Sequence, residues 1–345
     1  MALLGRKRTS LGLDVGSGFM KVVEVDHSGD QPELTRVVVR PLAQDAIVEG
    51  EVMDPGLVAD TLRALFAESG LKTGEVVTAV GGHDVIVKKI KMDRMKEAEA
   101  REVIRWEAEQ YVPFDIKSVE LDFQILDPND DGMQMEVLLV AAKRELVENK
   151  VGLLADAGVS AAVIDVDTFA LHNAFEHNDP EAMEGIVALV NVGHDTTKVT
   201  ILEDGVPILP RDIPFGSRRV REDVQRERGV TAEQAEDIVQ GRETIPDLDR
   251  FVQASADEVA VGIERAAAFL MTQPTGGGIG KIYVSGGGAR IPGMVEALGR
   301  RMGVETHLVN PFERIPVHPG AAQNVNLDEA APMLLLSLGL ALRQA

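Results

Sequence analysis

The sequence contains no cysteine. That excludes disulfides and thiolate metal centres, and it fits a reducing compartment. Aromatic residues are scarce, at 4% of the chain with a single tryptophan, Trp106. The core must therefore be built mostly from Val, Leu, Ile, Ala and Met. Positive charge is in deficit: 35 Lys and Arg face 56 Asp and Glu, a formal net charge of −21. So acidic a chain is not expected to bind nucleic acid or to lie broadly on an anionic membrane. Long apolar runs are also missing. The longest, 330–342, is interrupted by Pro332 and falls short of the ~20 residues that a spanning helix needs. Arg6, Lys7 and Arg8 are not followed by an apolar stretch, so no signal peptide is expected. Together these absences predict a soluble, cytoplasmic protein that reaches a membrane only through a partner.

What is present is an α/β alternation over 345 residues, a length that suggests two domains at roughly 100–200 residues each. Residues 11–15, 21–27 and 34–42 read as three successive strands. Asp54-Pro55 starts a helix that Gly70 stops. A strand at 76–80 follows. Residues 84–158 then read as strand, helix, two strands about a polar turn at 127–132, and a second helix. This unit reads as a small α+β insertion with its own sheet. A strand at 161–166 and a helix from Thr168 return to the first domain. The second domain opens near Gly185 with strands at 186–192, 198–202 and 206–209. Residues 217–273 read as mostly helical, 276–278 as a flexible link, 282–285 as a strand, and 292–302 and 332–342 as helices.

The chain repeats itself. Leu13-Asp14-Val15-Gly16-Ser17-Gly18-Phe19-Met20-Lys21-Val22 aligns with Val190-Asn191-Val192-Gly193-His194-Asp195-Thr196-Thr197-Lys198-Val199. Each segment reads strand, glycine turn, strand, and each opens one half of the chain. Glycine permits close approach of backbone N–H groups to an anion, so two facing hairpins can grip a polyphosphate from both sides. Asp14, ending the first strand, is placed to hold a magnesium ion through its water shell. Lys21 lies beyond the turn and is either a phosphate contact or a solvated strand residue. A third cluster, Gly286-Gly287-Gly288, follows a strand and leads towards a helix, as suits a ligand at a helix N-terminus.

These three motifs, in this order and spacing, resemble the actin-like ATPase superfamily over essentially the whole chain. The resemblance implies a two-domain, ribonuclease H-like fold with an inserted subdomain. It apportions 1–80, 159–184 and 331–345 to the first domain and 81–158 to the insertion. The second domain takes 185–216 and 279–330, and its helical subdomain 217–278. Residues 161–175 and 332–343 look like the two helical segments connecting the domains. Within the superfamily, Glu109-Gln110-Tyr111-Val112-Pro113-Phe114, Val163-Ile164-Asp165-Val166-Asp167-Thr168 and Leu338-Gly339-Leu340-Ala341 resemble the PilM family of type IV pilus assembly. That resemblance implies ATP with magnesium in the interdomain cleft. It also implies capture of the cytoplasmic tail of a PilN-like inner-membrane protein, and a place peripheral to that membrane. Self-association is a further expectation. The other readings are an FtsA-like filament former and a small-molecule kinase of the same superfamily.

The expected nucleotide contacts are Gly16, Ser17, Gly18 and Lys21, then Gly193, His194, Asp195, Thr196 and Thr197, then Gly286, Gly287, Gly288 and Glu236. The expected metal-side residues are Asp14 and Asn191. Relatives carry Asp where Asn191 stands, and many carry Lys where Val239 stands. One carboxylate is thus missing, and at most weak hydrolysis is expected. Asp165 and Asp167 both stand at a strand-to-helix junction, where they either cap the helix or position an attacking water. Asp167 is the choice for the second role. Glu222 shares the ribose-side reading with Glu236, or is a solvated helix residue. Trp106 and Tyr111 either anchor a partner or pack on the insertion's sheet. Arg343 reads as ordinary surface charge.

Overall fold

A computed structural model of the chain describes residues 9–71, 74–127, 132–268 and 277–343. Strands β1 (Thr9–Val15) and β2 (Phe19–Asp26) form an antiparallel hairpin, and β3 (Glu33–Pro41) pairs with β2. A short ribbon follows, β4 (Ile47–Val48) with β5 (Glu51–Val52). Helix α1 (Pro55–Ser69) begins where Asp54 accepts the Leu57 N–H, and it ends at Gly70 with φ 64°. Strand β6 (Glu75–Val80) lies parallel to β1.

The chain then leaves the first sheet. Strand β7 (Val85–Asp93), helix α2 (Glu97–Ala108), strand β8 (Val119–Ile125) and strand β9 (Gln134–Lys143) form the insertion. Its sheet has the order β7-β9-β8 and is antiparallel throughout. Ala100, Ile104 and Ala108 of α2 are buried with Val137, Leu139 and Ala141 of β9, so the unit has a core of its own. Helix α3 (Arg144–Asp156) follows, but its Leu153 and Leu154 are buried with Leu62, Leu65 and Phe66 of α1. Strand β10 (Ser160–Val166) pairs parallel to β6 and completes the first sheet, in the order β10-β6-β1-β2-β3.

Helix α4 (Asp167–Asn178) leads to the second half. There β11 (Ile186–Val192), β12 (Thr197–Glu203) and β13 (Val206–Ile213) form a meander. Helices α5 (Ser217–Arg228), α6 (Ala232–Val239) and α7 (Leu248–Ala267) follow, then β14 (Lys281–Ser285), α8 (Met294–Met302) and β15 (Glu305–Leu308). The second sheet has the order β13-β12-β11-β14-β15. Reversed, this is the order of the first sheet, with β11 standing for β1, β14 for β6 and β15 for β10. Register repeats as well: Asp14 pairs with Lys21, and Asn191 with Lys198. Each turn closes on the same bond, Gly16 N–H to Phe19 O at 3.2 Å and Gly193 N–H to Thr196 O at 3.0 Å.

After the short helix α9 (Leu327–Ala330), helix α10 (Leu335–Leu342) packs with α4 between the two sheets. This layer holds Phe175 and Leu338 against Val23 and Val77 of the first sheet and Val187 and Leu189 of the second. Two glycines set its closeness. A Cβ at Gly339 would stand 1.7 Å from Ala170 O, and one at Gly12 would stand 2.0 Å from Ser337 O. A helix backbone can lie this near another helix or a strand only where the side chain is a hydrogen.

The single helix expected over 332–342 is broken. Residues Ala331–Leu334 form a 3-10 turn containing Pro332, which cannot donate to a preceding carbonyl. The ribbon β4–β5 and strand β15 were not expected, being too short for periodicity to show. The mostly helical stretch expected over 217–273 holds α5, α6 and α7, and its residues from 269 on lie outside the described residues, as does part of the turn at 127–132. Among the described residues no helix is long and apolar enough to cross a membrane.

Candidate functional site

The two hairpin turns meet at a cleft of about 910 Å3 between the domains. They approach closely: a Cβ at Gly18 would stand 2.8 Å from His194 Cγ. The first hairpin lines the cleft with Asp14, Gly16, Ser17, Gly18 and Lys21, and the second with Asn191, Gly193, His194 and Thr196. Gly286 and Gly287 line it from the third glycine turn, Glu236 from α6 and Asp167 from the start of α4. Gly287 is open to the cavity, since a Cβ there would meet no atom within 4 Å.

Three of the expected contacts point elsewhere. Thr197 is fully buried and its hydroxyl donates to Phe215 O at 2.8 Å. Gly288 faces the protein interior, where a Cβ would stand 2.3 Å from Val192 Cγ1. Asp195 is buried. Its Oδ2 accepts the Glu49 N–H at 3.1 Å, and its Oδ1 lies 3.1 Å from Arg218 Nε. Asp195 therefore ties the second domain to the β4–β5 turn of the first.

Ion pairs organise the cleft floor. Lys21 Nζ donates to Asp14 Oδ2 at 2.6 Å, which their cross-strand pairing allows. Lys198 Nζ lies 2.8 Å from Asp167 Oδ2 and 3.5 Å from Asp212 Oδ2. Burial pulls the Lys198 pKa down, but the two carboxylates outweigh it and hold the ammonium above the ordinary lysine range. Gly81 makes room for this pair, because a Cβ there would stand 2.2 Å from Asp167 Oδ2. The Asn191 amide donates to Ser285 Oγ at 2.9 Å. Burial pushes the His194 pKa below the usual value, with Asp195 opposing.

On the α6 side of the cleft, Arg221 Nη1 lies 3.7 Å from Glu236 Oε2, and Arg290 also lines the cavity. Glu222 stays on the exposed side of α5, 3.7 Å from Arg218 Nε. Asp165 is held away from the cleft lining by Arg343, whose Nη1 donates to Oδ2 at 2.9 Å. Arg343 is therefore not the ordinary surface charge that the sequence suggested. On the insertion, Trp106 is 72% exposed, whereas Tyr111 packs on the sheet beneath Lys88.

Lys198, Lys150, Gly81 and Arg290 are among the cleft residues that were not expected from the sequence. Lys198 had a signal, since it coincides with Lys21 in the repeat. Arg290 follows the glycine cluster directly. Lys150 had none, because it lies on a helix assigned to the insertion.

Comparison with known proteins agrees with this architecture. The family model of type IV pilus assembly protein PilM matches residues 12–345. A solved PilM-PilN type IV pilus biogenesis complex contains a chain 29% identical to this one. The likeness covers 99% of each chain, with a TM-score of 0.84. The ethanolamine utilization protein EutJ from Carboxydothermus hydrogenoformans is 18% identical, covering 97% of this chain and 89% of that one, with a TM-score of 0.58. MreB 5 of Spiroplasma citri, solved with AMPPNP, is 12% identical, covering 97% and 95%, with a TM-score of 0.52. These last two share the fold, which is that of the actin-like ATPases. With the family model spanning nearly its whole length, the chain belongs to the PilM family of type IV pilus assembly proteins.

Proposed function

We propose that the chain binds ATP with magnesium in the interdomain cleft and captures the cytoplasmic tail of a PilN-like inner-membrane protein. It thereby acts as a scaffold in the platform that aligns the type IV pilus machine, peripheral to the membrane through that partner. The observation that carries this reading is the end-to-end likeness to the chain of the PilM-PilN complex. Neither the filament reading nor the kinase reading has a comparable observation behind it.

The cleft residues fit a nucleotide. Backbone N–H groups of the two hairpins cradle phosphate, and the open face of Gly287 leaves room for the nucleoside. Asp14 and Asn191 would hold a magnesium ion through its water shell, and the ion would neutralise phosphate charge. Lys21, which lines the same cleft, would be a phosphate contact if it exchanged Asp14 for the ligand. Asp167 is the carboxylate placed to accept a proton from an attacking water. While Lys198 holds it as an ion pair it is a poor base, and with one metal-side carboxylate missing the chain is at most a weak ATPase.

The cavity continues from the hairpins to a groove between α3 and the β5–α1 segment. Val52, Pro55, Leu146, Asn149 and Gly152 line it. A Cβ at Gly152 would meet nothing within 4 Å, so the groove is open there. An extended peptide laid in it would bury a few apolar side chains. Titration of the protein with a synthetic PilN tail, with and without magnesium-ATP, tests both halves of the reading. Absence of binding by either ligand would refute the corresponding half.

A further inference from the structure

We propose that Lys150 binds the terminal phosphate of a nucleoside triphosphate in the cleft, an inference that rests on the nucleotide-binding reading above. Among the described residues four lysines line the cavity: Lys21, Lys143, Lys150 and Lys198. Three are committed, Lys21 to Asp14, Lys143 to Asp84 and Lys198 to Asp167. Lys150 makes neither a hydrogen bond nor an ion pair among the described residues. Its side chain is half-buried in the cleft wall. Burial pushes its pKa down, and the charges of Asp167 and Asp14 oppose this.

A half-buried cation with no direct partner gains more from an arriving anion than one already paired. An arriving anion meets Lys150 without breaking any existing pair, whereas Lys21 and Lys198 must first give up a carboxylate. Lys150 lines the cleft from α3, in the same cavity as Asp14, Asp167 and Lys198. Lys150 feels Asp167, Asp14 and Lys198, all on the floor beneath the hairpins. His194 instead feels Asp195, Arg221 and Glu236. On the nucleotide reading, the open face of Gly287 and Glu236 of α6 take the nucleoside, and Lys150 on α3 lies beyond the hairpins from them. A nucleotide with its base at the first end and its inner phosphates on the hairpins presents its last phosphate to α3.

Lys150→Met keeps the apolar stem and removes the charge, and Lys150→Gln is a second variant under the same criteria. Calorimetric titrations of full-length wild type and variants with magnesium-AMPPNP and magnesium-ADP separate the possibilities. Loss of one charged hydrogen bond should weaken AMPPNP binding about tenfold or more and change ADP affinity by less than about twofold. Lys150→Arg should retain the preference for the triphosphate. A wild-type protein that binds both nucleotides, beside variants unchanged in both or weakened equally in both, overturns this inference alone. A wild-type protein that binds neither overturns the nucleotide reading and this inference with it.

Discussion

Lys198 Nζ stands 2.8 Å from Asp167 Oδ2 and so joins the second domain to the first across the cleft floor. Their side chains are 17% and 15% exposed, which places the pair largely out of water. Removing one member of such a pair strands the other. Lys198→Met should therefore destabilise the protein by about 3 kcal/mol in urea denaturation. The double variant Lys198→Met/Asp167→Asn should lose less than the two single changes added together. The folded pKa of Lys198 is raised, so its contribution is fully present below the unfolded value of about 10.4 and is lost only as pH rises through the folded one. Its destabilisation should hence be the same at neutral pH as in mildly alkaline buffer.

The three glycines of the third cluster should respond differently to the same substitution. At Gly287 a Cβ enters open cleft, so Gly287→Val should abolish nucleotide binding and leave thermal unfolding nearly unchanged. At Gly288 a Cβ would meet Val192, and at Gly286 the backbone has φ 90° with Val192 O only 2.4 Å from a Cβ. Substitution at either should cost on the order of 1–3 kcal/mol or more through overpacking, read as a lowered melting temperature. Equal loss of stability at all three positions would remove the distinction between the lining glycine and the packing ones.

Asn191→Asp restores a carboxylate opposite Asp14. The Ser285 hydroxyl that now accepts from the Asn191 amide can donate to the new carboxylate instead, so the change needs no repacking. Phosphate release should rise several-fold and should depend more steeply on magnesium. Unchanged turnover would mean that the missing carboxylate does not limit hydrolysis.

The architecture of the site was legible because it is written twice. Asp14, Gly16 and Lys21 stand at the same register as Asn191, Gly193 and Lys198, and sheet order repeats around them. What the repeat could not show is which side chains turn inward. Along β12 the faces alternate, so Thr197 points into the core while Lys198 points to the cleft. Parity with Asn191, its cross-strand partner, was the available signal. Asp195 was misleading for another reason: its ligands, Glu49 and Arg218, come from segments far away in sequence. Lys150 escaped because α3 follows the insertion in sequence but packs on α1.

Acid should weaken the hairpin contact. Burial depresses the His194 pKa, so the folded state takes up the proton less readily than the unfolded chain. Stability from this group is present above the unfolded value of about 6.5 and is lost as pH falls towards the folded one. His194→Gln should flatten the fall in melting temperature between neutral and mildly acidic buffer. A variant that follows the wild-type slope would assign the acid sensitivity to other groups, of which His177, also depressed by burial, is the next to vary.

Peptide capture is tested best at Gly152. Deleting residues 81–158 would not isolate the insertion, because Leu153 and Leu154 of α3 are buried in the first domain's core. A point change in the groove avoids this. Gly152 lies within α3 and faces the groove, with open space where a side chain would go. Gly152→Leu should fill that space and replace a poor helix former with a good one, a gain of roughly 0.5–1 kcal/mol. The variant should therefore melt no lower than the wild type while losing affinity for a PilN tail peptide by about tenfold or more, the loss expected when an anchor pocket is filled. Magnesium-ADP affinity should stay as it was, since the hairpins and Gly287, which would hold the rest of the nucleotide, come from other elements than α3. Fluorescence anisotropy with a labelled tail peptide reads the first quantity and calorimetry the second. Undiminished peptide affinity in a stable variant would place the tail outside this groove, and the exposed Trp106 face of the insertion would be the next surface to block.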